Sequence, residues 1–306
     1  MNGLLVLPQD MLCSAETLGN HFTTAIAQIP VDVYFPSFND KRSPNIGTNN
    51  PLLPPSIGKA WKRSGKPLNW GYPVSYPKPD ASVSLLAFSI SCSQTEEREV
   101  AKKIYQDIDR WTDSFIHYCI LETKQGLRQN RAISNCQTDL QLSGSEGRIP
   151  KSTIVTIEAY LYQDSQALTV NQIKGAMEFA ASQQPMKIEY EMLLASYFAK
   201  MQDQNNHAIM DACSAVEICL NSVIQQFADK KGINLKILTS KYRTLGHKFD
   251  LLHLIDEVPP TIQTSKITKT RNRVAHNNGS IVSDDETDTL IREVEKCLRH
   301  YSPQYY

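Results

Sequence analysis

At 306 residues the chain has length for two hydrophobic cores, and its 32 Lys plus Arg equal its 32 Asp plus Glu, so no global charge draws it to nucleic acid or membrane. Its seven cysteines, at 13, 92, 119, 136, 213, 219 and 297, form no CxxC pair, which excludes a zinc framework or dithiol motif of ordinary spacing and fits a reducing cytoplasm. With no run of roughly 18 apolar residues and no basic start before an apolar stretch, neither a transmembrane helix nor a signal peptide is expected, and no membrane contact.

Residues 1–29 are mixed, with a short apolar start from Leu4 to Leu7. Residues 30–79 hold ten of the sixteen prolines, which remove backbone donors and break regular structure. Within them, residues 41–79 form a Pro-rich basic and aromatic loop. Seven Lys or Arg and no Asp or Glu stand there among Trp61, Trp70, Tyr72 and Tyr76. Cations that meet phosphates and rings that stack on bases suit single-stranded nucleic acid, which makes Lys62 and Arg63 candidate RNA ligands. The plainer alternative is an irregular loop whose aromatics pack onto the domain beneath.

Residues 82–91 (SVSLLAFSIS) read as a central strand. Residues 96–124 read as a long helix with the stripe Val100, Ile104, Ile108, Trp111, Phe115 and Tyr118. Residues 125–150, rich in Gly, Ser and Gln, suit a loop or weak strand. Residues 153–162 alternate like a strand, and 169–183 look helical up to Pro185. A mixed α/β domain of unknown role over 1–184 follows.

From Pro185 the periodicity is helical, and an all-α antiparallel bundle is expected over 185–306, giving an α+β chain. One helix runs from Pro185 to Gln202. The next, capped by Asn205 or Asn206, carries Ile209, Cys213, Val216, Leu220, Val223 and Phe227 and ends before Gly232. Helices over 245–257, 262–275 and 284–301 follow, the last started by a capping box, Ser283 and Glu286. Asn277, Asn278 and Gly279 suit the left-handed turn that ends a helix.

The penultimate helix ends in Arg271-Asn272-Arg273-Val274-Ala275-His276. An Arg, a polar residue, three more and a His, placed between the last two long helices of a helical domain, resemble the RNxxxH signature of the HEPN superfamily. Apea-like HEPN domains are the nearest group, and the resemblance covers residues 185–302. It implies a HEPN-like bundle and a metal-independent endoribonuclease of antiviral defence or toxin-like growth arrest. It also implies no cofactor, RNA (tRNA included) as substrate, a homodimer through the bundle, and an antitoxin or trigger protein as partner. Arg110 and His117 fit a looser spacing, but they sit inside the amphipathic helix over 96–124 with no polar residue after the Arg.

The residue types suit the chemistry. His276, with an ordinary pKa of about 6.5, can take the proton of a ribose 2′-hydroxyl or protonate the leaving oxygen. Arg271 offers a planar fork of donors to a phosphate whose charge grows in the transition state. Asn272 can orient either partner, and Lys266, Lys269 and Arg273 can hold flanking phosphates. The 2′-hydroxyl as nucleophile implies a 2′,3′-cyclic phosphate product. Arg271 and His276 stand five residues apart, about 140° around a helix. They meet only if the chain leaves helical geometry at His276 or if a second subunit supplies one of them. Glu217 either borders solvent or fixes the Arg271 fork. The remaining histidines show no metal-ligand spacing. Competing readings are a favourable cation–dipole arrangement with Arg273 and its neighbours pairing to acids at 284–288, a non-catalytic HEPN-like module that binds RNA or a nucleotide or mediates dimerisation, and an interaction protein whose N-terminal domain is a sensor.

Overall fold

Apolar residues recur at strand spacing in the first part of the chain and at helical spacing in the last, and the fold is α+β. The computed structural model describes residues 1–40, 45–58, 62–63, 66–74, 80–127, 139–145, 147–149, 166–255, 259, 261–276 and 282–305. Two compact units result, Met1–Gln184 and Pro185–Tyr306.

The first unit is built on β1 (Asn2–Cys13), β2 (His21–Ile26), β3 (Ile29–Tyr34), the short β4 (Ser37–Phe38) and β5 (Ile46–Gly47), a helical turn α1 (Pro55–Gly58), and β6 (Lys62–Arg63), β7 (Lys66–Pro67) and β8 (Gly71–Pro73). Then come β9 (Ala81–Ser89), α2 (Glu97–Thr123), β10 (Asp139–Gly144), β11 (Gly147–Ile149) and α3 (Val170–Ser182). Antiparallel pairing orders the main sheet β11-β10-β1-β9-β3-β2, with β8 also on β9. β9 is the central strand, and its near-continuous burial explains its unbroken apolar run. At Gly71 the φ of +118° and the Ser82 carbonyl, 1.9 Å from where a Cβ would stand, leave room for glycine alone. The strand expected over 153–162 lies outside the described residues.

Residues 1–29 are more regular than their composition suggests. They form β1 and most of the β2–β3 hairpin. The hairpin turn puts Ala27 and Gln28 at φ 50° and 64°, a conformation that usually advertises itself with Asn or Gly. Asp107 of α2 holds this turn, because its Oδ2 accepts the Ala27 amide at 2.8 Å. Arg110 in turn grips both Asp107 oxygens at 2.7 Å, so Arg110 has a structural task. That grip, helped by the Ala27 amide against burial, holds the Asp107 carboxyl below its usual range. A lowered folded pKa stabilises the fold above the ordinary carboxylate value and loses that contribution as pH falls through the folded one. Asp107→Asn is expected to cost about 1 kcal/mol near neutrality, discounted for partial exposure. In urea titrations across pH the gap to wild type should close below about pH 4; a gap that persists at pH 2 would remove the ion pair from the account.

α2 and α3 pack on the sheet around Trp111, fully buried, which meets Phe88 of β9 edge-on at 5.9 Å and stacks on Phe115 at 5.3 Å. Its indole N–H donates to Thr24 Oγ1 at 3.1 Å, and Thr24 donates to the Met177 carbonyl at 3.0 Å, linking α2, β2 and α3. The Pro-rich stretch also enters the core, through Phe35, Ile46, Leu53, Ile57 and Trp70.

The second unit comprises α4 (Ile188–Met201), α5 (Asn205–Lys231), α6 (Leu235–Lys241), α7 (Leu245–Ile255), α8 (Thr264–His276) and α9 (Asp284–Tyr301). α4 starts at Ile188 rather than Pro185, since Lys187 is extended and its amide donates to the Tyr305 carbonyl. α6 is a helix that the periodicity does not predict, and none of its side chains is buried. α5, about 40 Å long at 1.5 Å per residue, is the hub: α4, α6, α7, α8 and α9 all touch it. α4 and α9 run in opposite directions, with Lys200 on Asp284 at 2.9 Å at one end and Tyr190 on the Ser302 carbonyl at 2.5 Å at the other. α9 follows α5 in the same sense, since Asn205 donates to Asp284 at their starts. The capping box of α9 is formed as expected. By length and apolar content α5 also passes for a membrane span, which the composition did not suggest, and half of that stretch is buried inside the protein.

Candidate functional site

α8 carries Lys266, Lys269, Arg271, Arg273 and His276 and no acid. Its start is held by Glu293, whose Oε2 accepts the Gln263 amide at 2.7 Å and whose Oε1 accepts Lys296 at 2.7 Å. Burial pushes the Glu293 carboxyl up, but these bonds and the charges of Lys296 and Lys266 outweigh it and hold it below the usual range. Only Ile267 of α8 is buried. Arg271, one turn on, and Val274 continue the same stripe and are half-buried. Ser265, Lys269, Asn272 and His276 form the opposite, exposed stripe.

This division settles which candidates meet within one chain. The helix continues through His276, so the backbone does not turn out of helical geometry there. Asn272 and His276 share the exposed face; Arg271 and His276 do not. The Arg271 guanidinium reaches only the Asn272 side-chain oxygen, at 3.4 Å, and no carboxylate lies within ion-pair distance of it among the described residues. Its charge is felt at Cys213 of α5, where burial pushes the thiol up to about 12, Arg271 opposes that and Glu217 adds to it.

Two candidates are otherwise engaged. Arg273 binds Glu286 Oε1 at 2.8 Å and draws that carboxyl below its usual range, so its guanidinium is committed to the first turn of α9 rather than open to phosphate. Glu217 does not hold Arg271. Its Oε1 lies 2.5 Å from Lys248 Nζ of α7, and the Lys248 side chain is 8% exposed. Lys248 is the residue that sequence reasoning passed over, although its signal was present: it sits among Leu245, Phe249 and Leu252, on the buried face of α7.

In the first unit, Lys62 and Arg63 lie in β6, which pairs with β7; their side chains, like Trp61 and Tyr76, lie outside the described residues. Trp70 is 4% exposed and belongs to the core, and Tyr72 is 44% exposed. The helix-ending turn expected at 277–279 also lies outside the described residues. An open depression of about 300 Å³ at the start of α5, lined by residues 203–207 and Val282, includes none of the candidates. Among the described residues no three His, Cys, Asp or Glu side chains converge as metal ligands do. Comparison with known protein families, with curated proteins and with solved structures finds no match to this chain.

Proposed function

We propose that the second unit is a HEPN-type endoribonuclease that cuts RNA, tRNA included, without a metal, in the cytoplasm, as part of antiviral defence or toxin-like growth arrest. The observation that carries this reading is an acid-free basic helix whose Arg271 is left unclaimed by any carboxylate among the described residues. An arginine so placed, half-buried and unpaired, has its fork available to an anion.

In the proposed reaction the 2′-oxygen bonds to the adjacent phosphorus and the bond to the 5′-oxygen breaks. A general base takes the 2′-hydroxyl proton and a general acid protonates the 5′-oxygen. His276 serves one of these roles, Arg271 binds the non-bridging oxygens, and Asn272 steadies His276 from the same face. Lys266 and Lys269 meet flanking phosphates. The ends are a 2′,3′-cyclic phosphate and a 5′-hydroxyl. Because Arg271 and His276 face apart on one helix, the working site is shared between two copies: the Arg of one and the His of the other. An antitoxin or trigger protein would act by covering or aligning that shared cleft.

The expected mass in solution is therefore twice the 34.5 kDa of one chain. Sedimentation at tens of micromolar should show the dimer, and cleavage of total RNA should persist in EDTA. A strict monomer that cleaves would rule out the shared site. The same separation of Arg271 from His276 favours a second reading, a non-catalytic module that binds RNA or a nucleotide, or dimerises, joined in the chain to an N-terminal sensor domain. Stoichiometric RNA binding without any cyclic-phosphate product would select it.

A further inference from the structure

Lys248 is an unusual residue to bury. Its ammonium ends inside the bundle against one carboxylate oxygen, that of Glu217. A buried cation with a single partner, as Lys248 has among the described residues, is costly to keep, and a well-packed apolar residue of similar volume is often as stable. The surroundings suggest another reason for its presence. α5, α7 and α8 touch one another pairwise. Cys213 and Glu217 stand one turn apart on the same face of α5. Arg271 lies on the inner stripe of α8, one turn after the fully buried Ile267. The contacts between α5 and α8 bring that stripe to the Cys213–Glu217 part of α5, in keeping with the influence of both the Arg271 and the Glu217 charges on the Cys213 thiol. Lys248 holds the Glu217 carboxylate, and Arg271, on the facing stripe of α8, has no carboxylate within ion-pair distance among the described residues.

We infer that Lys248 is a positioning residue that occupies Glu217 and so keeps the Arg271 guanidinium free for a phosphate. The inference rests on the ribonuclease reading for its catalytic consequence, but not for the effect of Lys248 on Arg271. Without Lys248, Glu217 turns to Arg271, the cation that the facing stripe of α8 brings to this part of α5. A carboxylate on Arg271 blocks the fork sterically and cancels the charge that a phosphodiester would meet.

The test uses the full chain in four forms: wild type, Lys248→Met, Lys248→Arg, and Lys248→Met combined with Glu217→Gln. Met keeps the apolar stem in place, and Gln keeps the shape of Glu without its charge. The first readout is the Arg271 Nε–Hε resonance in ¹⁵N NMR, assigned by its loss in Arg271→Lys. Lys248→Met should shift it and slow its exchange with water several-fold, and the double variant should return it to the wild-type position. An Arg271 signal unmoved by Lys248→Met overturns the inference, whether or not the protein cuts RNA. The second readout is cleavage. Lys248→Met should lower turnover about tenfold, less than the loss expected from deleting a charge-stabilising donor outright, with Lys248→Arg near wild type and the double variant restored. A loss that Glu217→Gln does not restore means that Lys248 acts in another way, and overturns it. A wild type that never cuts RNA removes the proposed function and leaves the NMR result to decide this one.

Discussion

On the proposed ribonuclease reading, His276→Ala is expected to lower RNA cleavage by about 100- to 10,000-fold, the usual worth of positioned proton transfer, and Arg271→Ala by about 100- to 1,000-fold, the usual worth of one donor to a developing charge. Neither change should disturb folding. His276 is exposed at the last helical position, and Arg271 has no ion-pair partner among the described residues to lose. The pair also permits a sharper experiment than either alone. When the two inactive variants are mixed and allowed to exchange subunits, each mixed dimer holds one intact Arg–His combination. Activity should then recover to about a quarter of wild type, since about half the dimers are mixed and each keeps one of two sites. No recovery on mixing would place both groups in one subunit and contradict the shared cleft. His117→Ala, in the looser sequence match, should leave cleavage unchanged.

Trp111→Ala should cost about 3–5 kcal/mol, near the top of the range for a single substitution. The indole is wholly buried, stacks on Phe115, abuts Phe88 and bonds Thr24, so truncation removes packing and a hydrogen bond together. Against a typical domain stability of about 5–15 kcal/mol, that brings the first unit close to unfolding at room temperature. Trp111→Phe keeps an aromatic ring on Phe115 and should cost less, about 1–2 kcal/mol. The check is the urea midpoint followed by circular dichroism; a Trp111→Ala loss below about 1 kcal/mol would mean that the sheet and helices are joined elsewhere.

What the sequence disclosed follows the strength of its local signals. α2, α5 and α9 have long stripes at helical spacing, and their bounds fall within a residue or two of those expected. The capping box at Ser283 was legible because it needs only two residues three apart. The β2–β3 hairpin was not, because Ala27 and Gln28 turn the chain without Asn or Gly, and Asp107, far along the sequence, holds the turn. α6 escaped notice because a helix with no buried side chain has no apolar stripe to read. At the candidate site, helical arithmetic gave the separation of Arg271 from His276. It could not give the partners of Arg273 and Glu217, which depend on how α7 and α9 dock. Trp70 left two readings open in the sequence, a nucleic-acid surface and an aromatic packed on the domain beneath, and its burial agrees with the second.

The shallow seating of α8 has a dynamic consequence. A helix that gives one fully buried side chain to its bundle, beside an α5 that gives ten, has a low free energy of local opening. Its amides should exchange with deuterium by excursions that leave α4, α5 and α9 intact, orders of magnitude faster than those of α5. The helix that carries the candidate residues is thus lightly tethered, and its outward face can be rewritten by mutation almost without cost to the rest of the bundle. If the proposed ribonuclease reading holds, the residues that meet the substrate stand on the part of the bundle that is easiest to vary.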